Sequence, residues 1–379
     1  MDGLVRNFCL LPNRVHGRAQ HYAWGDTSAI PDMLGQPVDG RPWAEWWMGT
    51  HPLAPSTLDD GASLQSVSGD LPYLLKLMSA AQPLSLQTHP DHLQAAAGFQ
   101  REEQLGIARD SPVRTYRDGF AKPEMLCALT TFDTLCGFRP VDDTVSLLHE
   151  LDAHDLAVFL QHEKLTTTVT ALYRKEFDIA STLAVCRKHH RVEAELVSEL
   201  AHAYPGDPSV VVTLLLNRVL LGPGEAVFLG PGNLHAYLRG FGVEVMGNSD
   251  NVVRGGMTVK HVDVEELLDV VDFEPLEHPV VRAVATEPGW WRYDTPHTPF
   301  VVSRLELAGE QRRRHHAAGR ELLLWVSGSQ HGQCQFLADN ETIELIGPAT
   351  IFLVQEAPVA AAFDDSGPAG GHQSSNAAV

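Results

Sequence analysis

The stretch "PGEAVFLGPGNLH" (residues 223–235) reads as a short apolar strand, "AVFL", held between two turns rich in proline and glycine, with a histidine just past the second turn. Proline presets one backbone angle and glycine reaches conformations closed to other residues, so such turns are stiff. The same punctuation runs on through "GFGVEVMGNSDNVVRGG", which marks residues 221–274 as β texture. A second stretch, "PLSLQTHPD" (83–91), places Gln87 and His89 two positions apart in an apolar run that a proline stops. In an extended strand those two side chains project from one face. Ser85 shares their parity.

Working outward, residues 1–140 carry short apolar runs such as "YLLKLM" and "MLCALTTFDTLCGF" separated by turn residues, again mainly β. Between 141 and 220 the periodicity changes. Val141, Val145, Leu148 and Leu151 recur at helical spacing, as do Val192, Leu196 and Leu200, and in "GDPSVVVTLLLNRVL" Asp207 and Pro208 suit an N-cap and a first helical position. The expectation is a helical insertion over 141–220, interrupting one β unit made of 1–140 and 221–274. Short strands including "ELLLWVSG" and "ATIFLV" predict a second β domain over 275–363, and the small polar tail 364–379 is expected to be disordered.

The chain has 379 residues, 44% of them hydrophobic and 20% charged, enough to bury a large core. A formal net charge of -20 argues against nucleic acid or an anionic membrane as partner, since both need a basic surface. No run of 18 or more apolar residues occurs and the start lacks a signal-peptide pattern, so the expected location is the cytoplasm. Five scattered cysteines without a C-x-x-C spacing point to neither a disulfide framework nor a thiolate zinc site. The "RRRHH" run at 312–316 is expected to be a solvated loop, and "GFGVEVMG" lacks the context of a nucleotide-binding loop.

Metal-capable side chains concentrate at three places in the β texture: Gln87 with His89, Glu124 in "FAKPEMLCAL", and His235. Two imidazoles, one carboxylate and one amide oxygen suit zinc, and a dication with a single anionic ligand retains about one unit of positive charge. A polar-x-His pair, then Glu, then a His after a Gly/Pro-stiffened turn resembles the two metal-binding motifs of the cupins, small jelly-roll barrels. Gln87 stands where the first His is usual, and Pro231 follows Gly230, where the proline is usual. The fold that the resemblance implies is mainly β with a helical insertion: two cupin-type jelly-roll barrels plus an α-helical domain, the second barrel without metal.

A longer set of strings, "HYAWGDTSAIPDMLG", "WAEWWMGTHPLAPS", "LPYLLKLMSAAQPLSLQTHPD", "YRDGFAKPEM", "GNLHAYLRG" and "VEVMGNSDNVVRGGMTVKHVDVEEL", resembles the type I mannose-6-phosphate isomerases over roughly residues 20–270. The resemblance implies one zinc ion per chain on Gln87, His89, Glu124 and His235, and Arg254 as the active-site arginine. It also implies the activity, interconversion of mannose 6-phosphate and fructose 6-phosphate through an enediolate. That reaction needs an acid/base group, charge stabilisation and a phosphate anchor. Lys122 and Glu244 are the acid/base candidates; Lys76, Lys260, Arg254 and Ser85 are the candidates to hold the phosphate, and Trp24, Glu45 and Tyr237 to line the sugar pocket. Val259 stands where the family commonly has proline and Gly247 where it has alanine. Rival readings are an isomerase of another hexose phosphate and a non-catalytic sugar-binding cupin; the expected state is a monomer or weak homo-oligomer.

Overall fold

The computed structural model describes residues 13–358. The expected tail 364–379 and Cys9 therefore lie outside the described residues. The chain is mainly β-sheet, with helices gathered between Val141 and Val212.

One strand organises the first sheet. His235–Gly247 runs for 13 residues. Its first half pairs with Leu86–Thr88 on one side and Phe132–Phe138 on the other. Its second half pairs with Tyr73–Ala80 and Glu124–Ala128. A register shift between Tyr237 and Arg239 and a left-handed Gly240 (φ 146°) mark the change of partners. A Cβ at Gly240 would lie 2.5 Å from the ring of Phe132, so the bend requires glycine. The pairing describes open sheets; closed barrels are not seen in it.

Period-two alternation then sorts the side chains. Leu86, Leu234, Ala236, Leu238 and Val253 join one buried cluster with the helices, through Leu148, Leu172, Leu200 and Val211 among others. Their neighbours Gln87, His235, Tyr237 and Arg254 face the other way. The helices thus cover the back of the sheet whose front carries the expected ligands.

Two expectations need correction. "GDPSVVVTLLLNRVL" is not a sustained helix: one turn, Ser209–Val212, tightens to a 3-10 turn and gives way to a strand, Leu216–Leu221, paired with Phe132–Phe138. Asp207 does accept the backbone N–H of Ser209, but its other oxygen takes that of Met257. "RRRHH" is a strand, Arg312–His316, paired with Thr342–Ile346, because alternate residues find partners across it. The β blocks also exchange strands. Arg14–His16 pairs with Cys334–Leu337 in the C-terminal sheet, and Val280–Arg282 pairs with Glu225–Leu229 in the first.

Candidate metal centre and active site

Four short segments converge on the front of the first sheet. In the register, Gln87 lies opposite both His235 and Arg254, so the three side chains stand in one row on one face. Glu124 opens the strand Glu124–Ala128, paired with Met246. His89, Glu124 and His235 each offer a ligand atom within 4.8 Å of the others, and all three are buried. His89 Nε2 lies 3.3 Å from Glu124 Oε1, and His235 Nε2 lies 3.5 Å from Glu124 Oε2. The Gln87 amide comes within 3.5 Å of His235 Nε2, and a half-turn about its last bond decides whether oxygen or nitrogen faces inward.

Orientation comes from the backbone. His89 Nδ1 donates to the carbonyl of Asn251 at 2.7 Å, and His235 Nδ1 to that of Asn233 at 2.9 Å. With Nδ1 carrying the proton, Nε2 of each ring presents a lone pair inward. His89 Nε2 and Glu124 Oε2 are buried without any hydrogen-bond partner, an arrangement that costs free energy unless something electropositive sits between them. Burial pushes the His89 imidazole down to about 4, so the ring is neutral and fit to ligate. Burial opposes charge on Glu124 as well, but the Lys122 ammonium and hydrogen bonding to the two imidazoles outweigh it and hold the carboxyl well below the usual range. His89, Glu124 and His235 fit a zinc ion in donor type and orientation, and the Gln87 amide oxygen fits it in donor type.

Beside the ligands, Lys122 Nζ sits 2.9 Å from Glu124 Oε1. Lys76 and Glu244 are paired neighbours in the register of Tyr73–Ala80 and His235–Gly247. Both oxygens of Glu244 are engaged, one by Lys76 at 2.9 Å and one by the Tyr237 hydroxyl at 2.8 Å. Lys76 also lies 3.7 Å from Glu45, whose other oxygen accepts the Trp47 indole N–H at 2.5 Å. Burial works against the Lys76 charge, yet Glu244 and Glu45 together raise its affinity for the proton. Lys76, expected as a phosphate partner, is paired with two carboxylates.

The unneutralised cations are elsewhere. No acidic side chain among the described residues forms an ion pair with Arg254 or Lys260, or with Arg117. Burial lowers the affinity of Arg254 and Lys260 for their protons, and mutual repulsion with Arg117 adds to it. Ser85 is half-buried on the ligand strand's parity. Trp24 packs at the edge of the cluster containing Tyr237, stacked on Tyr22 at 5.6 Å. Sequence reasoning missed Arg117 and Asn251. Both sit inside strings that drew attention for other reasons, and no spacing marks an unpaired cation or a buried amide.

Residues 13–141 match the family of the phosphomannose isomerase type I catalytic domain. The mannose-6-phosphate isomerase of Salmonella typhimurium (strain LT2) is 36% identical over 287 residues, 68% of this chain and 73% of that protein. That of Escherichia coli (strain K12) is 33% identical over 372 residues, 85% and 94% of the two chains. Among solved structures, a zinc-bound mannose 6-phosphate isomerase superposes with a TM-score of 0.78 at 30% identity, covering 91% of this chain and 99% of that one. The Salmonella typhimurium enzyme bound to fructose 6-phosphate and zinc superposes with a TM-score of 0.77. A matching fold and a relative that aligns over 94% of its own length at 33% identity lead to one statement: the chain belongs to the mannose-6-phosphate isomerase family.

Proposed function

We propose that the chain interconverts mannose 6-phosphate and fructose 6-phosphate at this centre, with zinc as its cofactor. The observation that carries the reading is the buried His89, Glu124 and His235 triad, with orphaned polar atoms aimed at one point, beside cations that lack acidic partners. A zinc ion held by Gln87, His89, Glu124 and His235 supplies surplus positive charge where negative charge develops on the sugar oxygens.

The chain's own groups divide the remaining work. Moving a proton between adjacent sugar carbons needs a side chain that can give and take it within reach of the centre. Lys122, beside Glu124, is that group. Glu244, with both oxygens engaged, holds Lys76 and Tyr237 in place. Arg254, in one row with Gln87 and His235, faces the substrate as a fixed cation, and Lys260 and Ser85 join it in holding the phosphate. Trp24, Glu45 and Tyr237 line the sugar side. Two cupin-type barrels, a metal-bearing one from 1–140 and 221–274 and a second over 275–363, with the helices of 141–220 between, are the architecture we assign. The 13-residue strand shared by the pairings of the first block, and the separate C-terminal sheet, support it.

The test combines metal analysis with a coupled assay on several hexose phosphates before and after chelation. One divalent ion per chain and chelator-sensitive turnover of mannose 6-phosphate are expected. Full zinc occupancy with no turnover of mannose 6-phosphate rejects the substrate. Arg254→Ala should lower turnover by at least about a hundredfold, the scale of losing one preorganised charge stabiliser. Near-normal turnover in that variant favours a sugar-binding role for the site.

A further inference from the structure

Asn251 is fully buried, and every polar atom it owns is used. Its Oδ1 accepts the backbone N–H of Arg117 at 2.8 Å and of Asp118 at 3.2 Å. Its Nδ2 donates to the carbonyls of Asp118 at 2.8 Å and Phe120 at 2.9 Å. Its own carbonyl is the acceptor that orients His89. Two neighbours reinforce the grip: Ser249 donates its hydroxyl to Asp118, and Asp118 accepts the backbone N–H of Asp250. One amide therefore ties the loop 117–120 to the metal side of the site, and the strand bearing Arg254 begins only two residues after it, at Val253.

What that loop delivers is the Arg117 side chain. It is half-buried, in a chain with a net charge of -20, and no described carboxylate pairs with it. Other arginines of the same region are neutralised: Arg114 by Glu102 and Glu103, Arg101 by Glu266. Asn251 holds the Arg117 backbone and stands three residues before Arg254, so the two cation-bearing segments adjoin; with Lys260 further along the same segment and no described carboxylate paired to any of the three, the arrangement is favourable once a dianion lies among them.

We propose that Arg117 is a third cation holding the substrate's phosphate, with Arg254 and Lys260, and that Asn251 is the positioning residue that sets it there. The proposal rests on the reading of the site as one for a sugar phosphate. It makes phosphate affinity depend on an amide that touches no substrate atom.

The test titrates the zinc-loaded chain with inorganic phosphate and with fructose 6-phosphate by calorimetry, alongside KM and kcat. Arg117→Ala should weaken both ligands by about ten- to a hundredfold, the range for losing a charge-assisted contact, and raise KM more than it lowers kcat. Arg117→Lys should recover much of the loss. Asn251→Ala should weaken phosphate in the wild-type background and add little in the Arg117→Ala background, since it acts through that side chain. Phosphate binding unchanged in Arg117→Ala overturns the role of Arg117. Equal losses from Asn251→Ala in both backgrounds overturn the positioning role, and thermal melts separate misfolding from either. If Asn251→Ala does not fold, the two Arg117 variants still decide. Wild-type chain that binds phosphate through Arg117 but does not isomerise mannose 6-phosphate defeats the substrate assignment and leaves this one standing.

Discussion

Lys76 has 5% of its surface exposed, with two carboxylates around its ammonium and the Trp47 ring 5.2 Å away. Removing the ammonium leaves Glu244 and Glu45 buried without their cation. Lys76→Met should cost about 3–5 kcal/mol of stability, the range for breaking a buried pair on one side, read from denaturant midpoints at constant slope. The metal ligands predict a different signature. His235→Ala should lose zinc in elemental analysis together with activity, because three ligands hold the ion poorly. A variant that retains stoichiometric zinc would contradict the ligand set. At this scale, legibility followed chemistry. His89, Glu124 and His235, which the structure brings together, could be named from the chain because they sit in the motifs that carry the family resemblance. Arg117 could not, because lacking a partner is a property of three dimensions. The ion pair of Lys76 was hidden for the same reason: nothing in "YLLKLM" shows that Glu244 lies across the ladder from it.

Among elements, the segment after Arg254 is the most constrained. Gly256 adopts φ +131°, and a Cβ there would collide with Ser209 Oγ and lie 3.0 Å from Asp207 Oδ1, both anchored in the turn that ends the helices. Tyr173 from a helix donates to the carbonyl of Gly255 at 2.6 Å, so the helices clamp this segment from behind. Gly256→Ala should lose about 1–3 kcal/mol, the scale of a strained backbone conformation, and displace Arg254 enough to lower turnover. Unchanged melting temperature and rate would show the clamp to be slack. Gly247 lets the backbone of Ala121 approach: an added Cβ would stand 2.9 Å from its carbonyl. The helical periodicity of 141–151 and 192–200 was readable and is realised in Val141–Glu150 and Val192–Ala203. The run "VVVTLLLNRVL" was not, since its dense apolar residues show no clear period to choose between helix and strand, and its pairing with Phe132–Phe138 decides.

For the whole molecule, the two large sheets share one core. Tyr73, Leu75 and Val245 from the first pack with Phe300, Leu322 and Phe352 from the second. The Tyr73 hydroxyl donates to the carbonyl of Val354, and Arg320 joins Glu356 to the carbonyls of Ser68 and Asp70. Calorimetry should therefore give a single transition for both sheets, with a chain ending at residue 274 failing to fold cooperatively. Two separated transitions would show independent units. A change of texture at 275 was legible, yet the strand exchange across it was not, because three-residue strands carry too little pattern to reveal their partners.

The pairing of Arg14 with Gln335 also bears on birth of the chain at the ribosome. At about 5–20 residues per second, the partner strand emerges some 15–60 s after the first has left the exit tunnel. During that interval the strand Arg14–His16 has an unsatisfied edge, which is a natural moment for a chaperone to bind and for crowded nascent chains to aggregate.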